Sequence, residues 1–235
     1  MPHRNPPEQP KNSSGQQQDD VPPAKDQESE SAETGEVPSG AALPTDVCGK
    51  RVFLSEEQIR AEGSVYDTIH KAPDPETWVK LITGMEGVHV TGLGSMCRIL
   101  LQDRRVMYIG STLRWAQDRV REVFGYPKGF LYHEYAECVH KSQLAPIPFP
   151  GQEASLVAIK TRHTEGVDGI GHNEGAYGFI LDKCLDRLSQ GPQSLIIHFK
   201  NGATMRTLMC EKTVYEQISR AHHFRLCLNE RGKLR

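Results

Sequence analysis

The spacing of apolar residues changes from that of a strand to that of a helix in the middle of the chain. Residues 106–109 form an apolar run of strand-favouring types that stops at Gly110. Ser111 and Thr112 then supply hydroxyls suited to cap a helix. Beyond them, apolar residues recur at intervals of three or four, which places them on one helical face; they are Leu113, Ala116, Val120 and Phe124. The pattern predicts a strand, a glycine turn and a helix.

Two neighbouring segments extend this unit into a small sheet. Upstream, residues 95–101 and a polar turn predict a strand that forms a hairpin with residues 105–109. Downstream, the aromatic and roughly alternating residues 130–138 predict a third strand. We therefore expect an α+β fold in which a small three-stranded, mixed or antiparallel sheet is flanked by helices.

The segments around this sheet supply the expected helices. Residues 55–60 have the pattern of a capped short helix, whereas residues 64–70 fit a strand or a helix equally. Residues 73–82 predict a helix that begins at a proline. Residues 152–160 and 179–188 are each predicted to be helical, with Glu153 in the first turn of the former.

The C-terminal part combines a hairpin signal with an excess of positive charge. Asn201-Gly202 separates two apolar runs, 194–200 and 203–209, and predicts a hairpin between them. The closing segment 214–228 fits a helix or a strand. From Gly191 onward, eight Lys or Arg residues face three Glu residues. Such an end suits contacts with nucleic-acid phosphates, and it equally fits a solvated basic surface.

The first 47 residues have a different composition from the rest of this 235-residue chain of net charge −2. They contain nine acidic and three basic residues and eight of the fifteen prolines, with no aromatic residue. Because such a segment buries too little apolar surface to offset its ordering entropy, residues 1–50 are predicted to be a disordered tail. No secretory signal and no membrane span is present in the sequence. We expect a nuclear or cytoplasmic protein that is not secreted and has no membrane partner.

Six cysteines are scattered along the chain without any C-x-x-C pair, which argues against a zinc knuckle or a thioredoxin-like site. Without a secretory signal, they are expected to be reduced thiols. Most are predicted to fill the core.

Arginines on the helix after Gly110 provide the first candidate chemistry. Arg114 and Arg121 share a face with Asp118, and Arg119 lies near its edge. The N-terminus of a helix and guanidinium groups both favour anions, so the segment suits a phosphate. On spacing alone, an ordinary helix with a solvated basic face explains the pattern as well.

A family resemblance adds to this interpretation. Tyr108 to Thr112, followed by a helix with arginines, resembles the second half of the signature of the GIY-YIG nuclease superfamily. Residues 153–157, Glu-Ala-Ser-Leu-Val, are similar to the glutamate helix of the animal ankyrin-and-LEM-domain endonucleases, a branch of that superfamily. The residues that resemble the later loop of that branch are Asn173, Gly175, Tyr177 and Gly178. The first tyrosine of the signature is missing, since Met96 or Cys97 holds its place.

The resemblance implies a metal-dependent endonuclease that hydrolyses phosphodiester bonds in DNA, including branched or structured DNA. In that comparison Glu153 holds Mg²⁺ or Mn²⁺, and Tyr108 positions water or assists proton transfer. Arg114 or Arg119 binds the phosphate and neutralises charge in the transition state. Asn173 holds the loop or the substrate backbone. The absent first tyrosine implies activity that is reduced, rerouted or lost.

Two other functional classes stay open beside the nuclease. One is a degenerate GIY-YIG-like domain that binds nucleic acid or protein without cutting, and the other is an unrelated α+β interaction module. DNA is the expected partner, and no feature indicates a protein partner. The expected organisation is a tail (1–50), a helical lead-in (51–92), a catalytic domain (93–182) and a basic extension (183–235).

Overall fold

The computed structural model describes residues 53–141, 143–161, 177–192 and 194–234. The predicted disordered tail and the loop that contains Asn173 lie outside these ranges. Within the described ranges, no helix is long and apolar enough to cross a membrane.

The described residues form eleven strands, five α-helices and two short 3-10 turns. The strands are β1 (Phe53–Leu54), β2 (Ser64–Tyr66), β3 (Ile82–Val90), β4 (Gly94–Leu101), β5 (Val106–Ile109), β6 (Ile147–Phe149), β7 (Ala154–Lys160), β8 (Tyr177–Leu181), β9 (Leu185–Gln190), β10 (Leu195–Phe199) and β11 (Thr204–Thr207). The helices are α1 (Glu56–Glu62), α2 (Pro75–Trp78), α3 (Leu113–Val123), α4 (Phe130–Val139) and α5 (Glu211–Glu230).

The strands form two sheets, and the larger one corrects the predicted fold. Its seven main strands run in the order β2-β5-β4-β3-β8-β7-β6, and β1 adds parallel to the end of β3. The hairpin β4–β5 is confirmed, but the expectation of a small three-stranded sheet is wrong. Both edges of the hairpin are paired, by β2 on one side and by β3 on the other. The smaller sheet has the order β11-β10-β9 and is antiparallel.

Helices cover one face of the larger sheet. This face packs against α2, α3, α4 and the C-terminal half of α5, and it contains the largest buried cluster. The contributing helix residues include Trp78, Ala116, Val120, Tyr135 and Phe224. Tyr135 and Phe224 meet edge to face with ring centroids 5.1 Å apart, which joins α4 to α5.

The opposite face of the larger sheet is covered by two different elements. Helix α1 lies over Tyr108 and its neighbours through the fully buried Ile59. The smaller sheet packs beside it through Ile197, Phe199 and Met205. The result is a layered α+β fold in which the smaller sheet keeps its other face away from the core.

Segment 130–138, predicted to be the third strand, forms helix α4, so that prediction is wrong. Leu131 and Tyr135 are buried at a spacing of four, while Tyr132 and His133 between them are exposed. The spacing of four between buried residues therefore determines the structure here, and the rough alternation of aromatic residues does not. Gly129 starts the helix with a φ of +81°, a conformation that favours glycine.

Segment 152–160, predicted to be a helix, forms strand β7 from Ala154 onward, so this prediction is also wrong. Six consecutive residues of β7 are buried because β7 is covered on both faces. A strand of this kind is a continuous apolar run, and its sequence cannot be told from a buried helix.

Segment 179–188 is not a helix either. It contains the end of β8, a 3-10 turn at Asp182–Cys184 and most of β9. Here the chain leaves the larger sheet and enters the smaller one. The two regions that the sequence left undecided resolve as strand β2 and helix α5.

A disulfide corrects part of the cysteine prediction. Cys138 on α4 is bonded to Cys227 on α5, so the expectation of reduced thiols is wrong for this pair. Cys97, Cys184 and Cys210 are free thiols, of which Cys97 is buried as predicted. Two ion pairs from Glu134, to Arg231 and Lys233, reinforce the same contact between the helices.

Candidate functional site

Tyr108, the predicted catalytic tyrosine, lies on β5 in the interior of the protein. Its side chain is fully buried beneath α1, and its hydroxyl donates a hydrogen bond to the carboxylate of Glu62 at the end of that helix. Burial raises the pKa of Tyr108, and the bond to Glu62 raises it further. The phenol therefore keeps its proton at neutral pH and is not exposed to a substrate.

The hydroxyl of Tyr108 belongs to a buried cluster that is centred on an arginine. Arg98 on β4 lies directly opposite Tyr108 in the sheet register, and Glu86 on β3 lies opposite Arg98 on its other side. The guanidinium of Arg98 donates to Glu86 at 2.7 Å and to Glu62. We call these residues, Glu62, Glu86, Arg98 and Tyr108, the buried cluster. It ties α1 to three strands.

One feature of the sequence indicates the buried cluster. Arg98 stands between Cys97 and Ile99, both of which are fully buried. A charged residue in such a run must have a partner, since an unpaired buried charge is costly. The partner Glu62 is 36 residues away, so local patterns could not identify it.

The predicted arginine face on α3 is largely neutralised by acids of the same helix. Thr112 caps α3 as predicted, accepting a hydrogen bond from the backbone of Trp115. Arg119 pairs with Glu122 at 2.6 Å, and Arg121 pairs with Asp118 at 2.7 Å. Arg114 is exposed in the first turn. Only one of the three arginine charges on this helix is therefore left without an acidic partner on it.

Glu153, the predicted metal ligand, lies in the exposed turn between β6 and β7 and adopts a positive φ of +49°. It is not in the first turn of a helix, as the sequence pattern predicted. Strands β5 and β7 are four strand spacings apart in the sheet, which corresponds to about 19 Å. The structure therefore does not bring Glu153 and Tyr108 together.

The surroundings of Glu153 do not fit a divalent cation. Across the described residues, no group of three or more His, Cys, Asp or Glu side chains is arranged to hold a metal. The neighbouring Gln152 side chain is engaged by Lys183 at 2.7 Å. Asn173 lies outside the described residues, so the structure places two of the five predicted site residues on α3, one in the buried cluster and one in this turn.

A second polar cluster lies on the outer face of the smaller sheet, where the sequence analysis did not place a site. Six side chains from three strands share this face, in two rows across the sheet. We call them the basic patch: Arg187, Ser189, Ile196, His198, Thr204 and Arg206. Each of them is exposed or half-buried.

The register sets the geometry of the basic patch. One row across the sheet is Arg187, His198 and Thr204, and the next is Ser189, Ile196 and Arg206. The two rows are joined by a hydrogen bond of 2.7 Å between the Ser189 hydroxyl and Nε2 of His198. The patch thus combines two guanidiniums, two hydroxyls and an imidazole, all of which can donate hydrogen bonds to an anion.

The alternation of the strands explains why these residues face outward. The residues between them, Leu188, Ile197 and Met205, point to the larger sheet and pack on its face. The predicted hairpin at Asn201-Gly202 is confirmed by strands β10 and β11. The sequence predicts the positive charge of this end but not the face that carries it, because residues 185–188 were predicted to be helical and instead belong to strand β9.

Arg187 gives the basic patch an exposed positive charge. No ion pair of Arg187 with another described residue is present. None of the six positions is acidic, and the nearest acid in sequence is Asp186, an exposed residue at the bulge between β9 and β10. The basic patch therefore presents positive charge and hydrogen-bond donors together.

A third polar group has a structural role. Arg225 of α5 donates to the hydroxyl of Ser155 at 3.1 Å and to Asp182 at 3.3 Å, and it also contacts His222. Asp182 in turn accepts a hydrogen bond from the backbone of Ser155. Arg225 is buried, and this network holds α5 against β7 and the end of β8.

Comparison with known proteins adds no identification. No family model matches the chain, and neither a curated protein nor a solved structure is significantly similar to it. The function of the candidate site therefore has to be inferred from its geometry.

Proposed function

We propose that this protein is a nucleic-acid binding module that contacts the phosphate backbone through the basic patch. The observation that carries the proposal is the register of the smaller sheet, which places Arg187, Arg206 and His198 on one outward face with two hydroxyl side chains. Guanidiniums are the side chains best suited to phosphate, and contacts to phosphates need no fixed base sequence.

The same geometry favours binding over cleavage. The candidate catalytic tyrosine is buried in an arginine-carboxylate cluster on β5, and the candidate metal ligand lies in the turn before β7, a strand that is about 19 Å from β5 across the sheet. A phosphate on the basic patch would contact neither residue. Binding therefore needs no step that depends on Tyr108, Glu153 or a metal ion.

The test is fluorescence anisotropy with labelled single-stranded and double-stranded oligonucleotides over a series of salt concentrations. The double variant Arg187→Gln/Arg206→Gln should weaken binding strongly. It should also reduce the slope of log K against log salt by about 1.4 for single strands or about 1.8 for duplex, since each lost phosphate contact removes about 0.7 or 0.9. The matched control is Arg60→Gln, an exposed arginine of α1 that is paired with Glu56.

Three outcomes would contradict the proposal. The first is binding that is unchanged in the double variant but lost in Arg114→Gln, which would place the contact on α3. The second is Mg²⁺-dependent cleavage of plasmid or branched DNA by the wild type that is lost in Glu153→Gln. Equal binding by wild type and double variant, with no dependence on salt, would exclude phosphate contacts altogether.

A further inference from the structure

Three exposed cations lie on turns that meet at one end of the fold. Arg104 is in the turn between β4 and β5, and Lys200 is in the turn between β10 and β11. Lys183 is in the 3-10 turn between β8 and β9. We call these three residues the turn cluster. None of them belongs to the basic patch.

Hydrogen bonds to backbone carbonyls fix the three turns to one another. The carbonyl of Leu101 accepts from the backbone N–H of Arg104 at 3.1 Å and from the side-chain amide of Asn201 at 2.7 Å. The turn of Arg104 and the turn of Lys200 therefore share one acceptor. Nζ of Lys200 in turn donates to the carbonyl of Lys183 at 2.7 Å. These bonds hold the three cations at one place on the surface.

The bonds that orient the two lysines do not neutralise them. Nζ of Lys200 bonds a backbone carbonyl, and Nζ of Lys183 bonds the side-chain amide oxygen of Gln152 at 2.7 Å. Both acceptors are neutral, and an ammonium has three N–H donors, so each lysine keeps donors for an anion. Among the described residues, no ion pair is formed by Arg104 or by either lysine. The turn cluster therefore presents positive charge on side chains whose positions are partly fixed.

Acidic residues at this end of the fold leave an excess of positive charge. The two aspartates of these turns already have arginine partners; the pairs are Asp103–Arg105 at 2.7 Å and Asp182–Arg225 at 3.3 Å. Two further acids, Glu153 and Asp186, are exposed here. They stand against the three cations of the turn cluster and the exposed Arg187 of β9.

Arg104 adopts a backbone conformation that glycine and asparagine adopt more easily. Its φ is +70°, in the left-handed region. The turn itself therefore does not require an arginine, and what this residue adds to the turn is an exposed positive charge. Arg104→Asn removes that charge while keeping a residue type that tolerates the same φ.

We propose that the turn cluster is a second contact surface for the phosphate backbone of a nucleic acid, continuous with the basic patch. His198 and Lys200 are two residues apart along the chain, about 7 Å in a strand, and such residues lie on the same face. A nucleic acid on the basic patch reaches the turn cluster by extending past His198. Separate cations along a surface suit a polyanion, whose charges repeat, better than they suit a single small anion. The inference rests on the proposed function for the class of partner.

The first test is the triple variant Arg104→Asn/Lys183→Gln/Lys200→Gln, measured by fluorescence anisotropy with labelled oligonucleotides. Binding at low salt should weaken by at least about tenfold, and the slope of log K against log salt should fall by about 2.1 for single strands or about 2.7 for duplex. The matched control is Arg60→Gln/Lys71→Gln/Lys212→Gln, which removes the same charge from exposed positions on α1, the segment after β2 and the first turn of α5. Its affinity should stay within about threefold of the wild type. Circular dichroism melts check that both variants are folded.

The second test uses the wild type, so it does not depend on the folding of a variant. An amine-reactive acetylating reagent is applied with and without a saturating oligonucleotide, and each lysine is quantified by mass spectrometry. Acetylation of Lys183 and Lys200 should fall by at least about threefold when the oligonucleotide is bound. Acetylation of the exposed Lys71 and Lys212 should not change.

The outcomes separate this inference from the proposed function. Wild-type affinity in the triple variant, with binding lost in Arg187→Gln/Arg206→Gln, overturns the turn cluster and leaves the basic patch as the binding surface. Binding lost in the triple variant but kept in that double variant supports the turn cluster and contradicts the basic patch. Equal weakening in the triple variant and its matched control, or unchanged acetylation of Lys183 and Lys200, overturns the inference. Polyglutamate that competes as well as an oligonucleotide of the same charge overturns the assignment to nucleic acid, and no binding of any oligonucleotide overturns both proposals.

Discussion

The buried cluster and the basic patch are built from similar side chains on strands, yet they differ in what their polar atoms can do. In the buried cluster, the Arg98 guanidinium is held by two carboxylates and the Tyr108 hydroxyl by one of them. In the basic patch, a hydrogen bond of 2.7 Å joins the Ser189 hydroxyl to the His198 imidazole. The first arrangement uses its charges to hold the fold, whereas the second places polar side chains on the outward face of the smaller sheet.

This difference explains why a motif can mislead. Tyr108 belongs to the segment that resembles a nuclease signature, but the structure places it where it supports α1. Arg187 and Arg206 belong to no recognisable motif, but they lie on an accessible face. A polar or charged side chain indicates a functional site only when its hydrogen-bonding groups are not already bonded within the protein. Whether they are bonded depends on the tertiary structure.

The largest expected effect is on stability, to which the buried cluster should contribute more than the basic patch. Arg98→Met should destabilise the protein by about 3 to 5 kcal/mol, because Glu86 loses its partner while buried and Glu62 loses one of its two donors. The matched change Arg187→Met in the basic patch should alter stability by less than about 0.5 kcal/mol, since that side chain is exposed. Urea denaturation followed by circular dichroism measures both. Similar losses of stability in the two variants would contradict the distinction between the buried cluster and the basic patch.

The sequence predicted those elements whose signals are local. The capping box of α1, formed by Ser55 and Gln58, is present as expected, and so are the Thr112 cap and the hairpin at Asn201-Gly202. In each case the residues that specify the structure lie within a few positions of one another. Hydrogen bonds and turn geometry of this kind leave a direct pattern in the sequence.

The predictions from sequence are wrong where contacts between distant residues determine the structure. Strand β7 is buried on both faces, so its apolar run had no period that distinguishes strand from helix. The partner of Tyr108 is 46 residues away, and the disulfide joins residues that are 89 positions apart. No local pattern reports such contacts. The basic patch depends on the pairing of three strands, and one of these strands was assigned to a helix.

A second prediction tests whether Tyr108 acts in the fold rather than in a reaction. Tyr108→Phe should destabilise the protein by about 1 kcal/mol, because Glu62 loses a donor but keeps its bond to Arg98. Nucleic-acid binding should be unchanged, since the basic patch lies on a different sheet. The control is Tyr215→Phe, at an exposed tyrosine of α5, which should change neither quantity. A loss of binding in Tyr108→Phe at full stability would return this residue to the functional site.

The same tyrosine predicts a dependence of stability on alkaline pH. Burial raises the pKa of Tyr108 above its usual value of 10.0, so the folded protein retains a proton that the unfolded chain releases. Stability is therefore fully present below pH 10 and falls as the pH rises above it, by at most about 1.4 kcal/mol per pH unit for this one group. Tyr126, whose pKa burial raises to about 12, adds a fall of the same sign. Denaturation at pH 8.5 and pH 11 should therefore show a smaller loss for Tyr108→Phe than for the wild type, and an equal loss in both would show that Tyr108 ionises freely.

The smallest expected effect concerns Asp186, the acidic residue next in sequence to the basic patch. Asp186 is exposed at the bulge between β9 and β10, next in sequence to Arg187. Asp186→Asn removes a negative charge at a distance on the order of 10 Å from a bound phosphate, which corresponds to about 0.4 kcal/mol in water and to an affinity gain of about twofold at low salt. The gain should disappear at high salt, where such interactions are screened. Glu57→Gln makes the same change of net charge on α1, at another exposed position, and should leave the affinity within error of the wild type. An equal gain in both variants would mean that the total charge of the protein, and not the basic patch, attracts the nucleic acid.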